Sequence, residues 1–319
     1  EIFFCSSMDK LLKEIKEVRP TIFSAVPRLY ENIFKKIKSQ INQSNIFTSF
    51  FLNIVFNYTK IDNQTNILSN FFAKIFINLI LKRKLKHIFG GKIKVFISGG
   101  AALNPEIGFF FNKLGLTLLQ GYGQTEASPL ISCNRRNNND PKTVGTPVKG
   151  VKVKISQEKE ILVKGNNLML GYWKNLPLSQ KTIKNGWLHT GDLGMIDNKG
   201  RILITGRKKD LIVTSGGDNI SSQRIENMIL SHTEISHVVI YGDGRPYLIA
   251  LIFMDKNNPL VVKRIINQIN KRLNSIEKIR KYLIFDKHLS YEEGFMTQTL
   301  KIKKEKIFHH FKDEISKLY

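Results

Sequence analysis

In the stretch Gly186-Trp187-Leu188-His189-Thr190-Gly191-Asp192-Leu193-Gly194-Met195-Ile196, with Ile202-Leu203-Ile204-Thr205-Gly206-Arg207-Lys208-Lys209-Asp210 after it, Met195-Ile196 and Ile202-Leu203-Ile204 read as the two sides of a short apolar hairpin. Asp197-Asn198-Lys199-Gly200 lies between them and carries the residue types that tight turns select. A polar cluster flanks the hairpin on each side, His189–Asp192 before it and Arg207–Asp210 after it. Folding alone rarely requires such a concentration. A carboxylate and a guanidinium fork spaced by a hairpin suit a ligand with both hydroxyls and phosphate.

Upstream, Val151, Val153 and Ile155 alternate with Lys152 and Lys154, then turn through Glu158-Lys159 into Ile161-Leu162-Val163, a half-buried hairpin. Residues 143–206 therefore form a β-rich stretch. Before it the texture is α/β. Lys94–Ser98 is a short buried strand ending in Gly99-Gly100, a helix with Phe109, Phe110 and Phe111 follows, and the unit recurs at Leu116–Gly121. The Phe run reads as core filling. Residues 8–40 read as helices around a break at Pro20 and Pro27, with Leu11, Leu12, Ile15, Tyr30, Phe34 and Ile37 at helical spacing, and residues 1–4 read as a strand. Beyond residue 210 the pattern is a compact α+β unit. Strands at Val238–Tyr241 and Tyr247–Phe253 precede a helix capped by Asn258, opened by Pro259, and apolar at Val262, Ile265, Ile266, Ile269 and Leu273.

At 319 residues, with 42% hydrophobic and 24% charged side chains, the chain has room for about two domains. Its two cysteines, Cys5 and Cys133, have no metal-ligand spacing and suit a reducing, cytoplasmic compartment. The net charge of +24 is dispersed and built mostly from Lys, so no nucleic acid is expected as a partner. ATP, CoA and an anionic membrane surface are polyanions that the same field would favour. In the Phe- and Ile-rich residues 46–89 the longest nearly apolar run, Phe71–Leu81, is short of the ~20 residues a membrane span needs. A buried helix pair is the simpler reading; an interfacial helix, peripheral on the inner face of the membrane, is the other.

Gly121-Tyr122-Gly123-Gln124-Thr125-Glu126 follows a strand. Glycines admit a ligand close to the backbone, and Thr and Glu add a hydroxyl and a carboxylate suited to a nucleotide with Mg2+. A Gly-rich turn with a helix cap explains the same letters. Asp192 could grip a ribose diol or serve its own turn, and Arg207 could grip ribose or phosphate or be a surface charge.

The order of the motifs separates these readings. Gly121–Glu126, then Glu160–Gly165 with Gly171-Tyr172-Trp173, then His189–Asp192, then Gly206–Asp210 resembles the core motifs of the adenylate-forming (AMP-binding) superfamily. Within it, Ala25–Glu31, Ser98–Leu103 and Leu211–Ile220 resemble the long-chain fatty acid–CoA ligase branch. The resemblance runs from about residue 10 to about residue 305. It implies the end of a large α/β domain (1–206), a hinge (207–210) and a small, mobile α+β domain (211–319). It also implies a fatty acid substrate, ATP with Mg2+, CoA as co-substrate, and an acyl-adenylate intermediate. By position, Glu126 matches the Mg2+ carboxylate and Thr125 a phosphate-contacting hydroxyl. Gly100, Ala101, Gly121 and Tyr122 match adenine-lining residues, and Asp192 and Arg207 the ribose contacts. Lys301, after Thr297-Gln298-Thr299-Leu300, matches the adenylation lysine, Lys209 the hinge pivot, and Gly216-Gly217 the CoA-side loop.

Ala102, Ser222 and Gln298 stand where the branch usually has proline, and Lys159 where glycine is common. The family's Gly-rich phosphate loop, which precedes a segment like 10–31, does not occur in this sequence, so the expectation is the C-terminal part of a longer ligase, inactive alone. Rival expectations are a ligase of another acid or of a carrier-protein acceptor, and a non-catalytic binding module or gene remnant.

Overall fold

Pro20 and Pro27 cannot continue the helices that flank them, because proline lacks the amide hydrogen and its ring crowds the preceding turn. In the computed structural model of the chain, which describes residues 1–6, 10–43, 77, 82–232, 234–287, 289–297 and 301–319, the break between them holds a strand. Helix α1 (Leu11–Val18) ends at Arg19 in a left-handed conformation, strand β1 (Ile22–Ala25) follows, and helix α2 (Pro27–Gln43) begins on its proline. The strand corrects the sequence expectation of a break alone. Four residues are too few to show a period, and their partner is distant in the chain. The expected strand at 1–4 is absent: residues 1–5 have no regular structure, and Ile2 and Phe4 are exposed. An apolar run becomes a strand only where a neighbour takes up its backbone groups.

Helix α3 (Lys82–Ile88) precedes strand β2 (Val95–Ser98), and helix α4 (Pro105–Lys113) leads to strand β3 (Leu118–Gly123). Such helical crossovers set strands parallel, and β1, β2 and β3 are parallel. Strands β4 (Leu130–Cys133) and β5 (Thr146–Pro147) add antiparallel pairings, giving the order β1-β2-β3-β4-β5. The helices bury Tyr30, Phe34, Phe96, Phe110, Phe111 and Leu114 in one core, where the Tyr30 hydroxyl donates to the Ile97 carbonyl at 2.9 Å. Phe110 and Phe111 thus fill core, as expected, whereas Phe109 is half-buried and stands outside that core. Most of residues 46–89 lie outside the described residues, so the choice between a buried and an interfacial helix pair there is untouched. Among the described residues no helix is long and apolar enough to cross a membrane.

The β-rich stretch contains strands β6 (Lys152–Ile155) and β7 (Glu160–Lys164), helix α5 (Leu176–Thr182), and strands β8 (Ile183–Lys184), β9 (Trp187–Ile196) and β10 (Ile202–Arg207). Their order is β10-β9-β7-β6, with β8 on β9. The expected turn at 197–200 joins β9 to β10, and Asp197 Oδ1 accepts from the amides of Lys199 and Arg201, both at 2.9 Å.

The chain divides into two compact units. One comprises Glu1–Ser156, Leu162–Thr190 and Met195–Leu203; the other comprises Gln157–Ile161, Gly191–Gly194 and Ile204–Tyr319. In the second, β11 (Leu211–Val213) pairs with β12 (Asn219–Ser221), and helix α6 (Ser222–Leu230) follows. Strand β13 (His237–Tyr241) is antiparallel to β14 (Leu248–Met254). Helix α7 (Pro259–Asn270) then crosses to β15 (Ile279–Asp286), which lies parallel to β14. Asn258 caps α7 by accepting from the Val261 amide. Helices α8 (Lys304–His310) and α9 (Lys312–Ser316) close the chain. Strand β14 is buried along its whole length because the sheet is covered on both faces. Val238, Ile240, Ala250 and Ile252 pack with Ile225, Ile265 and Ile269, whereas Val239, Leu251 and Phe253 pack with Phe295, Ile307 and Phe311.

Candidate active site

Strands β2 and β3 end side by side. Ser98 is the register partner of Gln120, and a Cβ on Gly99 would lie 3.9 Å from the Gly121 carbonyl oxygen. Gly100 and Ala101 follow Gly99 beyond the end of β2, and Gly121 and Tyr122 lie in β3; these four are the residues expected to line adenine. Gly100 adopts φ +83°, a conformation that side chains resist. Alternation places Gln120 and Tyr122 on one face of β3, buried, and turns Gly121 and Gly123 to the other. The buried Ser98 Oγ and Gln120 Oε1 have no hydrogen-bond partner among the described residues. Such orphans are uncommon in folded proteins. Sequence reasoning gave neither residue a site role, although Ser98 opens the Ser98–Leu103 motif and Gln120 directly precedes the Gly121 motif.

The chain then turns sharply. A Cβ on Gly123 would lie 1.8 Å from the Pro129 carbonyl oxygen, so only glycine lets the Gln124 amide donate to that oxygen at 2.9 Å. Thr125–Ala127 forms a short 3-10 turn ending at Ser128 in the left-handed region. The loop 167–172 holds this turn. The Tyr172 hydroxyl donates to Glu126 Oε1 at 2.8 Å, the Met169 amide donates to the Glu126 carbonyl at 2.9 Å, and Asn167 Nδ2 donates to the Ala127 carbonyl at 2.8 Å. Burial, then the hydrogen bond to Glu126, pushes the Tyr172 phenol above its ordinary value, so it stays a donor through the neutral range. Tyr172 belongs to a quoted motif, but only the fold shows that it serves Glu126.

In the second unit Asp192 and Arg207 come together: Arg207 Nε donates to Asp192 Oδ1 at 2.5 Å. The Asp192 side chain is 6% exposed and that of Arg207 50%, so a buried carboxylate carries a half-exposed guanidinium. Gly191, at φ +71°, donates its amide to Glu160 Oε1 at 2.9 Å, and Lys208 Nζ reaches Glu160 Oε2 at 2.9 Å and Glu158 Oε2 at 2.7 Å. Hydrogen bonds to Glu158 and then Glu160 raise the Lys208 ammonium above its usual range. Glu160 therefore fixes the backbone that aims Asp192.

Lys209 is exposed in the 3-10 turn Lys208–Asp210. Gly216 and Gly217 form the exposed tip between β11 and β12, where Gly217 takes φ +84° and a Cβ would meet nothing within 4 Å. Lys301 is exposed too, but its backbone is tied: its amide donates to Thr297 Oγ1 at 3.0 Å, and its carbonyl accepts from the Thr297 amide at 2.8 Å. Gln298, Thr299 and Leu300 lie outside the described residues. Gly100, Ala101, Gly121, Tyr122, Thr125 and Glu126 belong to the first unit; Asp192, Arg207, Lys209, Gly216, Gly217 and Lys301 belong to the second.

Comparison with known proteins matches these parts to one family. The sequence profile of the AMP-binding enzyme covers residues 3–173, and that of the AMP-binding enzyme C-terminal domain covers 209–319. The chain is 30% identical, over 99% of its length and 57% of the relative's, to long-chain-fatty-acid–CoA ligase FadD15 of Mycobacterium bovis. It is 28% identical, over 99% of its length and 51% of the relative's, to long-chain-fatty-acid–CoA ligase 5 of Rattus norvegicus. It thus spans about half the length of these relatives. Among solved structures, the A domain of a carboxylic acid reductase from Segniliparus rugosus, with AMP and a carboxylic acid, superposes with a TM-score of 0.73 at 20% identity, over 99% of this chain and 50% of that one. That likeness gives the mixed α/β adenylate-forming fold. The matched residues and the fold agree, and the chain belongs to the AMP-binding enzyme family.

Proposed function

We propose that this chain carries the C-terminal part of a long-chain fatty acid–CoA ligase. The observation that carries the reading is the Glu126 turn, where a carboxylate is held by Tyr172 beside a glycine shelf at Gly121. Support comes from the motif order and from two relatives named as long-chain ligases.

In the first half-reaction a fatty acid carboxylate oxygen attacks the α-phosphorus of ATP, and pyrophosphate leaves. In the second the CoA thiol attacks the acyl carbon and AMP leaves. The first step brings two anions together, so positioned cations and donors lower its barrier. In this reading Lys301 spans the substrate carboxylate and the nucleotide, Thr125 donates to phosphate, and Asp192 and Arg207 hold the ribose. Glu126 is the residue that would hold Mg2+, whose contribution when bound is to neutralise phosphate charge. A single protein carboxylate fits an ion carried mainly by phosphate oxygens and water. Lys209 is the proposed pivot, and Gly216-Gly217 the strip that admits CoA, since a hinge needs only a few residues able to absorb backbone rotation. Two cysteines outside any disulfide support a cytoplasmic setting. Peripheral membrane contact through 46–89 belongs to the same proposal.

A second reading keeps the family and changes the acid or the acceptor. The test supplies the full gene product with ATP, Mg2+ and a panel of acids and acceptors. Equal amounts of long-chain acyl-CoA, AMP and pyrophosphate are expected. Release of ADP, or a preference for aryl or short acids, or for a carrier protein over CoA, would contradict the first reading.

A further inference from the structure

Lys304 opens α8 three residues after Lys301, and its ammonium points inward. Its Nζ lies 2.8 and 2.9 Å from the two carboxylate oxygens of Glu226 and 2.9 Å from Ser222 Oγ. Ser222 Oγ in turn donates to the Asp210 carbonyl at 3.1 Å, and Glu226 Oε1 accepts from the Ile240 amide at 2.9 Å. Ser222 is 2% exposed and Glu226 7%. The cluster therefore joins α8, α6, β13 and the Lys208–Asp210 turn.

Stability alone is a poor reason for it. Desolvating an ion pair consumes most of what the pair returns, and an apolar substitute of similar volume often packs as well. A directional pair offers a single geometry. On one side of the cluster Lys301 is tied to Thr297 by two hydrogen bonds, and the Lys303 amide donates to the Phe295 carbonyl at 2.8 Å. On the other side lies the turn that contains Lys209. Ser222 supplies the link between them.

We propose that Ser222, Glu226 and Lys304 are positioning residues that couple the Lys208–Asp210 turn to the Lys301 loop, so that a rotation at the turn carries Lys301 with it. This rests on the reading that Lys301 serves adenylation and the turn is the hinge. Ser222→Ala and Lys304→Met test it in the full gene product, with Lys301→Ala alongside. Acid-dependent pyrophosphate exchange reads the first half-reaction, and CoA added to synthetic acyl-adenylate reads the second. Hydrogen exchange reads the loop without any need for activity. Lys304→Met should slow pyrophosphate exchange and speed exchange of the Lys301 and Lys303 amides by about tenfold or more, with Ser222→Ala following in the same direction, because local opening needs only the local contacts to fail. KM values, the second half-reaction and protection at Leu251 in β14 should be unchanged. Unchanged exchange at Lys301 and Lys303 in both variants overturns the coupling. Undiminished pyrophosphate exchange in Lys301→Ala overturns instead the role given to Lys301, and the hydrogen-exchange result still decides the coupling. Ser222→Ala removes one oxygen only and keeps the test open if Lys304→Met does not fold.

Discussion

Removing the Tyr172 hydroxyl isolates the contact that aims Glu126. Tyr172→Phe keeps the ring and deletes the donor 2.8 Å from Glu126 Oε1, while the Met169 and Asn167 bonds to the same turn remain. A hydrogen bond to a charged group contributes about 1.5–3 kcal/mol when buried. Both residues are half-buried, so water competes and a loss of about 1 kcal/mol is expected. If the carboxylate must be held in place for adenylation, a penalty of that size slows acid-dependent pyrophosphate exchange about fivefold. The pH dependence supplies an independent check. The folded phenol keeps its proton above the ordinary value of 10.0, chiefly through burial. Its share of stability is therefore complete below pH 10 and fades as pH rises through the raised value. Urea unfolding at neutral and alkaline pH measures both effects. A Phe variant with an unchanged urea midpoint, an unchanged exchange rate and the wild-type alkaline decline would refute the argument.

Gly123→Ala should cost about 2–4 kcal/mol in urea unfolding, because its Cβ would lie 1.8 Å from the Pro129 carbonyl oxygen and the strand end must shift. A wild-type midpoint would show that the turn yields easily. Arg207→Lys keeps the charge but loses the planar fork that meets Asp192, so KM for ATP should rise about tenfold with kcat nearly unchanged. An unchanged KM would remove Arg207 from the nucleotide site.

Much of this fold is legible in the residues. Asn258-Pro259 marks the start of α7 through a cap and a preset φ, and the alternation at Val151–Ile155 marks the exposed edge of a hairpin. Such local rules hold because the physics they report is local. Strand β1 escapes them, since Ile22–Ala25 is a strand only by virtue of Val95–Ser98. Strand β15 escapes too, because Arg280 and Lys281 interrupt its apolar run and its parallel partner sits across α7. The candidate site divides in the same way. Glu126, Asp192 and Arg207 stand in motifs. The orphaned oxygens of Ser98 and Gln120, and the Tyr172 contact, arise from register and loop packing between residues far apart in sequence.

The central claim is that this chain contributes the adenylating lysine. Acid-dependent pyrophosphate exchange by the full gene product, wild type against Lys301→Ala, tests it most directly. Exchange is expected in the wild type, with a loss of about a hundredfold or more in the variant at equal thermal stability, because an ammonium placed between two anions acts mainly in the transition state. Exchange at the wild-type rate in Lys301→Ala would contradict it.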